Sequence, residues 1–304
     1  MRKLSIFCVY SDNPYCAAVG FSDGVTSANT VGYQQVTIPA QEYTMIGVSF
    51  VDCNGQDLKV QDIFPDPLGQ GLTGASSSGT ADQLMYWDPS EANSYVTLYL
   101  NSNTGTSTLQ KSRHNRWCTT ATQADTSWGS NARATEKRMP SGIGFFLKRI
   151  NHDQPITLTM SGAVVVESQG RNIVCRNGYT MISGGFSAPF VPNPDVAGTG
   201  AAIDWLSKGC IGASSSGTAD QLMFWDPTEA NSYVTLYLNS NTGTSTLQQS
   251  RHNHWCTTAT QADTSWGSNA RATPKVIPAG RAVWYLRQGE TFTLNLDQPY
   301  TLNN

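Results

Sequence analysis

An all-β fold, arranged as two tandem homologous domains of β-sandwich or β-barrel-like type, is what the sequence predicts. One observation behind this is a long internal repeat. Ala75 to Thr135 returns as Ala213 to Thr273, shifted by 138 positions, and only Tyr86/Phe224, Ser90/Thr228, Lys111/Gln249 and Arg116/His254 differ. A period of this size is that of a domain, too long for a solenoid repeat. The other observation is compositional: Thr, Ser, Asn, Gly and Tyr abound, and long helical stretches of Ala, Leu, Glu and Lys are absent. That favours strands and turns over helices.

Taken in order, the chain supports three parts: a signal-like or N-terminal strand segment over 1–24, a first β domain over 25–165, and its internal duplicate over 166–304. Met1-Arg2-Lys3 and the apolar run Leu4 to Tyr10 have the parts of an export signal, cut short by Asp12, Asn13 and Pro14. Gln34–Ile38 alternates in polarity, Pro39 to Glu42 breaks the pattern, and Tyr43–Phe50 resumes it, which predicts a hairpin. Tyr179–Phe186 is the counterpart of its second strand. Asp57–Phe64 and Ala201–Leu206 are short enough to be single helical turns. In the strand Ser94–Leu100, a period of two puts Val96, Leu98 and Leu100 on the core face. Strands are also expected over Asn115–Thr119, Gly144–Lys148 and Ile156–Met160, with a long polar loop from Ala124 to Ala134.

Charged residues make up 13% of the chain and the net charge is -3. No Lys/Arg run provides the electrostatic footprint of a nucleic-acid binder, so nucleic acid is not an expected partner. No apolar run reaches 18 residues, so no transmembrane helix is expected. The seven cysteines are an odd number, and the positions matching Cys53, Cys175 and Cys210 in the other copy are Pro189, Pro39 and Leu72. Any disulfides would therefore differ between the copies.

The opening Val25 to Tyr33, the Thr37-x-Pro39-Ala40 turn with Tyr43 and Phe50, and the closing Pro140-Ser141-Gly142-Ile143-Gly144-Phe145-Phe146 resemble a group of uncharacterised tandem-β proteins exported by planctomycete, verrucomicrobial and lentisphaeral bacteria. The resemblance covers most of the first unit and is weaker in the second, where Pro278-Ala279-Gly280 survives. It implies export and a compact β domain, and it offers no catalytic residues to carry over.

The chemistry-bearing patterns are few. His252-Asn253-His254 would set two imidazoles on one strand face, as a metal site needs, but the first copy has His114 and Arg116 there. Asp88 to Asn93 gathers oxygen ligands without calcium-loop spacing and reads as an Asp-Pro turn. Gly74 to Gly79 is not a nucleophile elbow, and Gly198-Thr199-Gly200 lacks a third glycine. No catalytic residue, metal or cofactor is expected. Trp87, Tyr95, Tyr99 and Trp128, repeated as Trp225, Tyr233, Tyr237 and Trp266, are the carbohydrate-binding candidates, since rings beside polar groups stack on sugars. Core packing is the competing use of these rings. Ile6, Phe7, Val9 and Tyr10 are candidates for an assembly strand. The reading that follows is a non-catalytic extracellular surface or matrix protein, a subunit of a filament or other self-assembly. Its alternative is a carbohydrate-binding module with one weak aromatic site per domain.

Overall fold

The computed structural model describes residues 31–40, 42–87, 95–105, 108–119, 134–226, 233–257 and 271–300. The chain is all-β, with 41% strand against 7% helix. In the first half the strands are β1 (Val31–Ile38), β2 (Tyr43–Gly47), β3 (Phe50–Val51), β4 (Leu58–Lys59), β5 (Gln83–Trp87), β6 (Tyr95–Asn101), β7 (Arg116–Thr119), β8 (Arg138–Met139), β9 (Gly144–Lys148) and β10 (Ile156–Val164). The second half adds β11 (Arg171–Cys175), β12 (Gly178–Ile182), β13 (Gln221–Trp225), β14 (Tyr233–Asn239), β15 (His254–Thr257), β16 (Val283–Arg287) and β17 (Phe292–Leu296).

These strands form five antiparallel sheets. Two have five strands each, in the orders β2-β9-β5-β6-β7 and β12-β16-β13-β14-β15; the others are β1-β10-β3, β11-β17 and β4-β8. None closes into a barrel among the described residues. The two large sheets share their registers: Gln83 lies opposite Tyr99 and Lys148, and Gln221 opposite Tyr237 and Leu286. Such agreement follows from the near-identical hydrophobic pattern, because a slip of one residue would turn Leu84 and Leu98, or Leu222 and Leu236, out of the core.

The expected hairpin between Gln34–Ile38 and Tyr43–Phe50 does not form. Instead β1 pairs with β10, from Val31 opposite Ala163 to Ile38 opposite Ile156, and β2 pairs with β9. A fixed cation holds the corner between them open. Buried Arg149 donates to the carbonyls of Pro39, Asn151 and Gln154, so the chain crosses from one sheet to the other around a guanidinium rather than folding back on itself. The first helical turn is present as Val60–Ile63, whereas Ala201–Leu206 is turn and coil.

Two buried polar devices recur in both halves. Asp82 accepts the N–H groups of Thr73 (2.8 Å) and Ile150 (2.7 Å), and Asp220 accepts those of Ile211 (2.8 Å) and Gln288 (2.9 Å). Each carboxylate thus ties the loop before a central strand to the end of its neighbour. Burial pushes the Asp82 carboxyl above its ordinary value, against its two backbone hydrogen bonds and Arg149. The second device is a carboxamide clamp on the outermost strand. Gln61 donates to the carbonyls of Trp117 and Thr135 and accepts from the Trp117 N–H; Asn193 repeats all three bonds with Trp255 and Thr273. Different side-chain lengths reach the same place because the segments carrying them differ.

The halves meet through a two-fold relation. Ile46 bridges to Arg281, and its counterpart Ile182 bridges to Ile143. The Gly47 N–H donates to the Gly280 carbonyl at 2.9 Å, and in the mirrored contact the Ser183 N–H donates to Gly142 at 2.8 Å. Close approach requires glycine here: a Cβ on Gly144 would lie 2.4 Å from the Ala282 Cβ, and one on Gly47 would lie 2.3 Å from the Ser183 Cβ. We predict that Gly144→Val lowers stability to denaturant by about 1–3 kcal/mol through overpacking. Gly79→Ala, at a site with no heavy atom within 4 Å, should leave the urea midpoint unchanged; equal midpoints for both variants would contradict the junction.

Candidate functional site

The aromatic set singled out in the sequence divides. Tyr99 and Tyr237 are 3% and 4% exposed, and each hydroxyl accepts from a buried amide, Asn101 or Asn239. They fill two small clusters, Tyr99 with Ala81 and Cys118 and Tyr237 with Ala219 and Cys256, so neither ring offers a face to a sugar. The chain turns these tyrosines to the outer face of each large sheet, and the loop before the central strand closes over them. Trp87 and Trp225 are half-buried on the same face, and the Arg176 guanidinium lies 4.8 Å from the Trp87 ring centroid. Tyr95 and Tyr233 begin β6 and β14, and their side chains lie outside the described residues, as do Trp128, Trp266 and the segment Ile6, Phe7, Val9 and Tyr10. Trp117 and Trp255 are core residues.

A different ring row appears on the two-fold junction. Tyr43 stacks edge-on against Phe146 at 6.1 Å, Phe146 against Trp284 at 5.7 Å, and Trp284 against Tyr179 at 6.0 Å. The row is symmetric: the central pair are counterparts, and so are the outer pair, which are 42% and 59% exposed. Edge-on contacts of this kind add about 0.5–1.5 kcal/mol each beyond area burial. Lys148, paired with Glu42, lies 5.5 Å from the Tyr43 ring centroid. The sequence did carry a signal for the row, since Tyr43/Tyr179 and Phe146/Trp284 are aromatic at matching places in both copies. That signal lies outside the near-identical blocks Ala75 to Thr135 and Ala213 to Thr273.

The other candidates take structural roles. His252 and His254 do not share a strand face: β15 begins at His254, and Asn253 before it is left-handed (φ 59°). Asn253 caps the turn at Leu206, and His254 Nε2 lies 2.8 Å from the Asp195 carboxylate. Burial raises the Asp195 carboxyl, but the His254 hydrogen bond and charge outweigh it and hold the group below its ordinary range. No cluster of three or more metal-ligating side chains occurs among the described residues. Asp88 to Asn93 lies outside them, and Thr199 sits in a turn, its N–H bonded to Pro194.

Among the described residues Cys118, Cys175, Cys210 and Cys256 are buried thiols outside any disulfide. Burial pushes Cys118, Cys210 and Cys256 up to about 12 and Cys175 higher still, which keeps them protonated and poorly nucleophilic. Cys210 and Cys175 stand beside a network found only in the second half. There Asp220 also accepts from the Tyr285 hydroxyl (2.6 Å) and Arg287 Nη1 (2.8 Å). Leu147 replaces Tyr285 in the first half, and Arg149 turns to carbonyls instead.

The most exposed large apolar side chains belong to a strand edge. Val31 and Tyr33 on β1 are 74% and 78% exposed, and β1 has β10 on one side and no strand on the other among the described residues. Every second residue of such a strand turns its N–H and C=O outward. One of these outward positions is met, by Arg281 donating to the Thr37 carbonyl. Searches with family models, curated proteins and solved structures find no match to this chain.

Proposed function

We propose that the chain is a non-catalytic structural subunit of an extracellular surface or matrix assembly, a filament among its forms, made of two tandem sandwich-like units, 25–165 and 166–304, that arose by duplication. The state of the strand edges carries this reading. In the large sheets, β2 and β12 are met by the two-fold bridges, and β7 and β15 are covered by Ala134–Thr135 and Ala272–Thr273 with the Gln61 and Asn193 clamps. The edge of β1 is eight residues long and carries neither a charge nor a proline. Edges meant to stay alone are blunted by those means, and an unblunted edge is a template for a further strand.

Packing favours the sandwich description of the first unit: Val36, Ile38, Leu158 and Met160 from the small sheet share one core with Leu84, Leu98, Phe145 and Leu147 from the large one. The N-terminal basic and apolar residues, and the resemblance to exported tandem-β proteins, favour an extracellular location. Sedimentation velocity tests the reading. The full chain is expected to form species larger than a monomer at micromolar concentration, and Tyr33→Lys to shift them to monomer. Val196→Lys, an exposed change in a turn away from β1, should not. A full-length wild type that stays monomeric throughout would overturn the proposal.

Glycan binding is the second reading, favoured by the exposed Tyr43 and Tyr179 at the ends of the ring row and by the cations near Tyr43 and Trp87. On this reading the chain has one site shared by both units, not one in each. Weak binding on a glycan array should be lost in Tyr179→Ala, and retention of that binding would exclude the ring row.

A further inference from the structure

We infer that the open edge of β1 is completed by the N-terminal segment Ile6-Phe7-Cys8-Val9-Tyr10 of a second copy, so that neighbouring chains are joined by a donated strand. The inference rests on the assembly reading above and names its partner. The length of chain outside the described residues and the place where it ends point to this occupant. Thirty residues precede Val31 and run directly into the first residue of the open edge. Ser11 to Thr30 can span up to about 70 Å when extended, which is enough to carry the apolar segment away from its own chain to a neighbour.

The segment suits the edge in length and chemistry. Five residues in a strand cover about 17 Å, the extent of Val31 to Gln35. Ile6 to Tyr10 are uncharged, with β-branched and aromatic side chains of the kind that favour strand pairing. One alternate set, Ile6, Cys8 and Tyr10 or Phe7 and Val9, would lie beside the exposed Val31 and Tyr33 and remove them from water. The other set would lie over the opposite face of the same edge. Burying a side chain the size of valine or tyrosine at such a contact contributes in proportion to area, while the backbone ladder fixes the register. Because donor and acceptor are different parts of one chain, the contact is head-to-tail, and a contact of that type continues into a filament unless its rotation closes a ring.

The test uses full-length protein with a photo-crosslinking amino acid at position 33, mixed from ¹⁴N and ¹⁵N preparations and mapped by mass spectrometry. Crosslinks from position 33 to residues 4–10 that join light and heavy chains are expected, with assembly lost on deletion of residues 1–24 and in the double variant Phe7→Lys, Val9→Lys. Crosslinks between two position-33 sites, or only within one chain, would overturn the inference, as would a mature N-terminus beyond residue 24. Assembly that persists in the deletion also overturns the donated strand, yet leaves the structural reading standing. A full-length chain that never assembles overturns both.

Discussion

The two-fold contact between the halves is the constraint on which the rest of the structure depends. Two backbone hydrogen bonds, Gly47 to Gly280 and Ser183 to Gly142, can form only if two main chains approach within van der Waals contact. Glycine at 47 and 144 permits that approach. Once it is made, Phe146 and Trp284 are brought ring to ring, Met45 and Met181 are buried, and one edge of each large sheet meets the other half. The arrangement is isologous: each half offers the same surface to the other, as in a symmetric dimer. Here it is held within one chain, so the effective concentration of the partner surface is set by the short link from Val164 to Arg171.

Departures from symmetry are informative because the repeat is so nearly perfect elsewhere. Gln61 and Asn193 make the same three bonds from unlike segments, which marks the clamp as a requirement of the outermost strand rather than an accident of sequence. Asp82 and Asp220 hold the same two backbone N–H groups, but only Asp220 gains Tyr285 and a direct Arg287 contact. A buried carboxylate is costly unless satisfied, and the two halves meet that cost differently, one with backbone donors and a nearby cation, the other with a full network. The β1 extension has no equal in the second half: β11 spans five residues, and β1 spans eight. Among the described residues β11 also has a single strand neighbour, β17, but it is short and begins at the charged Arg171, so the long uncharged edge belongs to the first half.

Much of the fold was legible in the sequence wherever hydrophobic period alone decides. Val96, Leu98 and Leu100 face the core as the alternation requires, and the strands at Gly144–Lys148 and Asn115–Thr119 lie close to their expected places. The expected hairpin does not form because local pattern reports that two strands exist and not which neighbour each takes; Arg149, more than a hundred residues from Pro39, bonds the chain at that corner. Alternation places Tyr99 and Tyr237 opposite the aliphatic face, yet both are buried. A loop that folds over that face left no periodic trace. The open β1 edge arises from pairing between distant segments, so only the assembled sheets reveal it, and the matched aromatics of the ring row meet only there.

Native-state hydrogen exchange at the Gly47 and Ser183 amides tests the central claim most directly. Both N–H groups are committed to the other half, so they should exchange only through the largest unfolding event, at matched protection and alongside the amides of β5 and β13. Rapid exchange at these two positions while β5 and β13 stay protected would mean that the halves separate in the folded protein, and it would contradict the account.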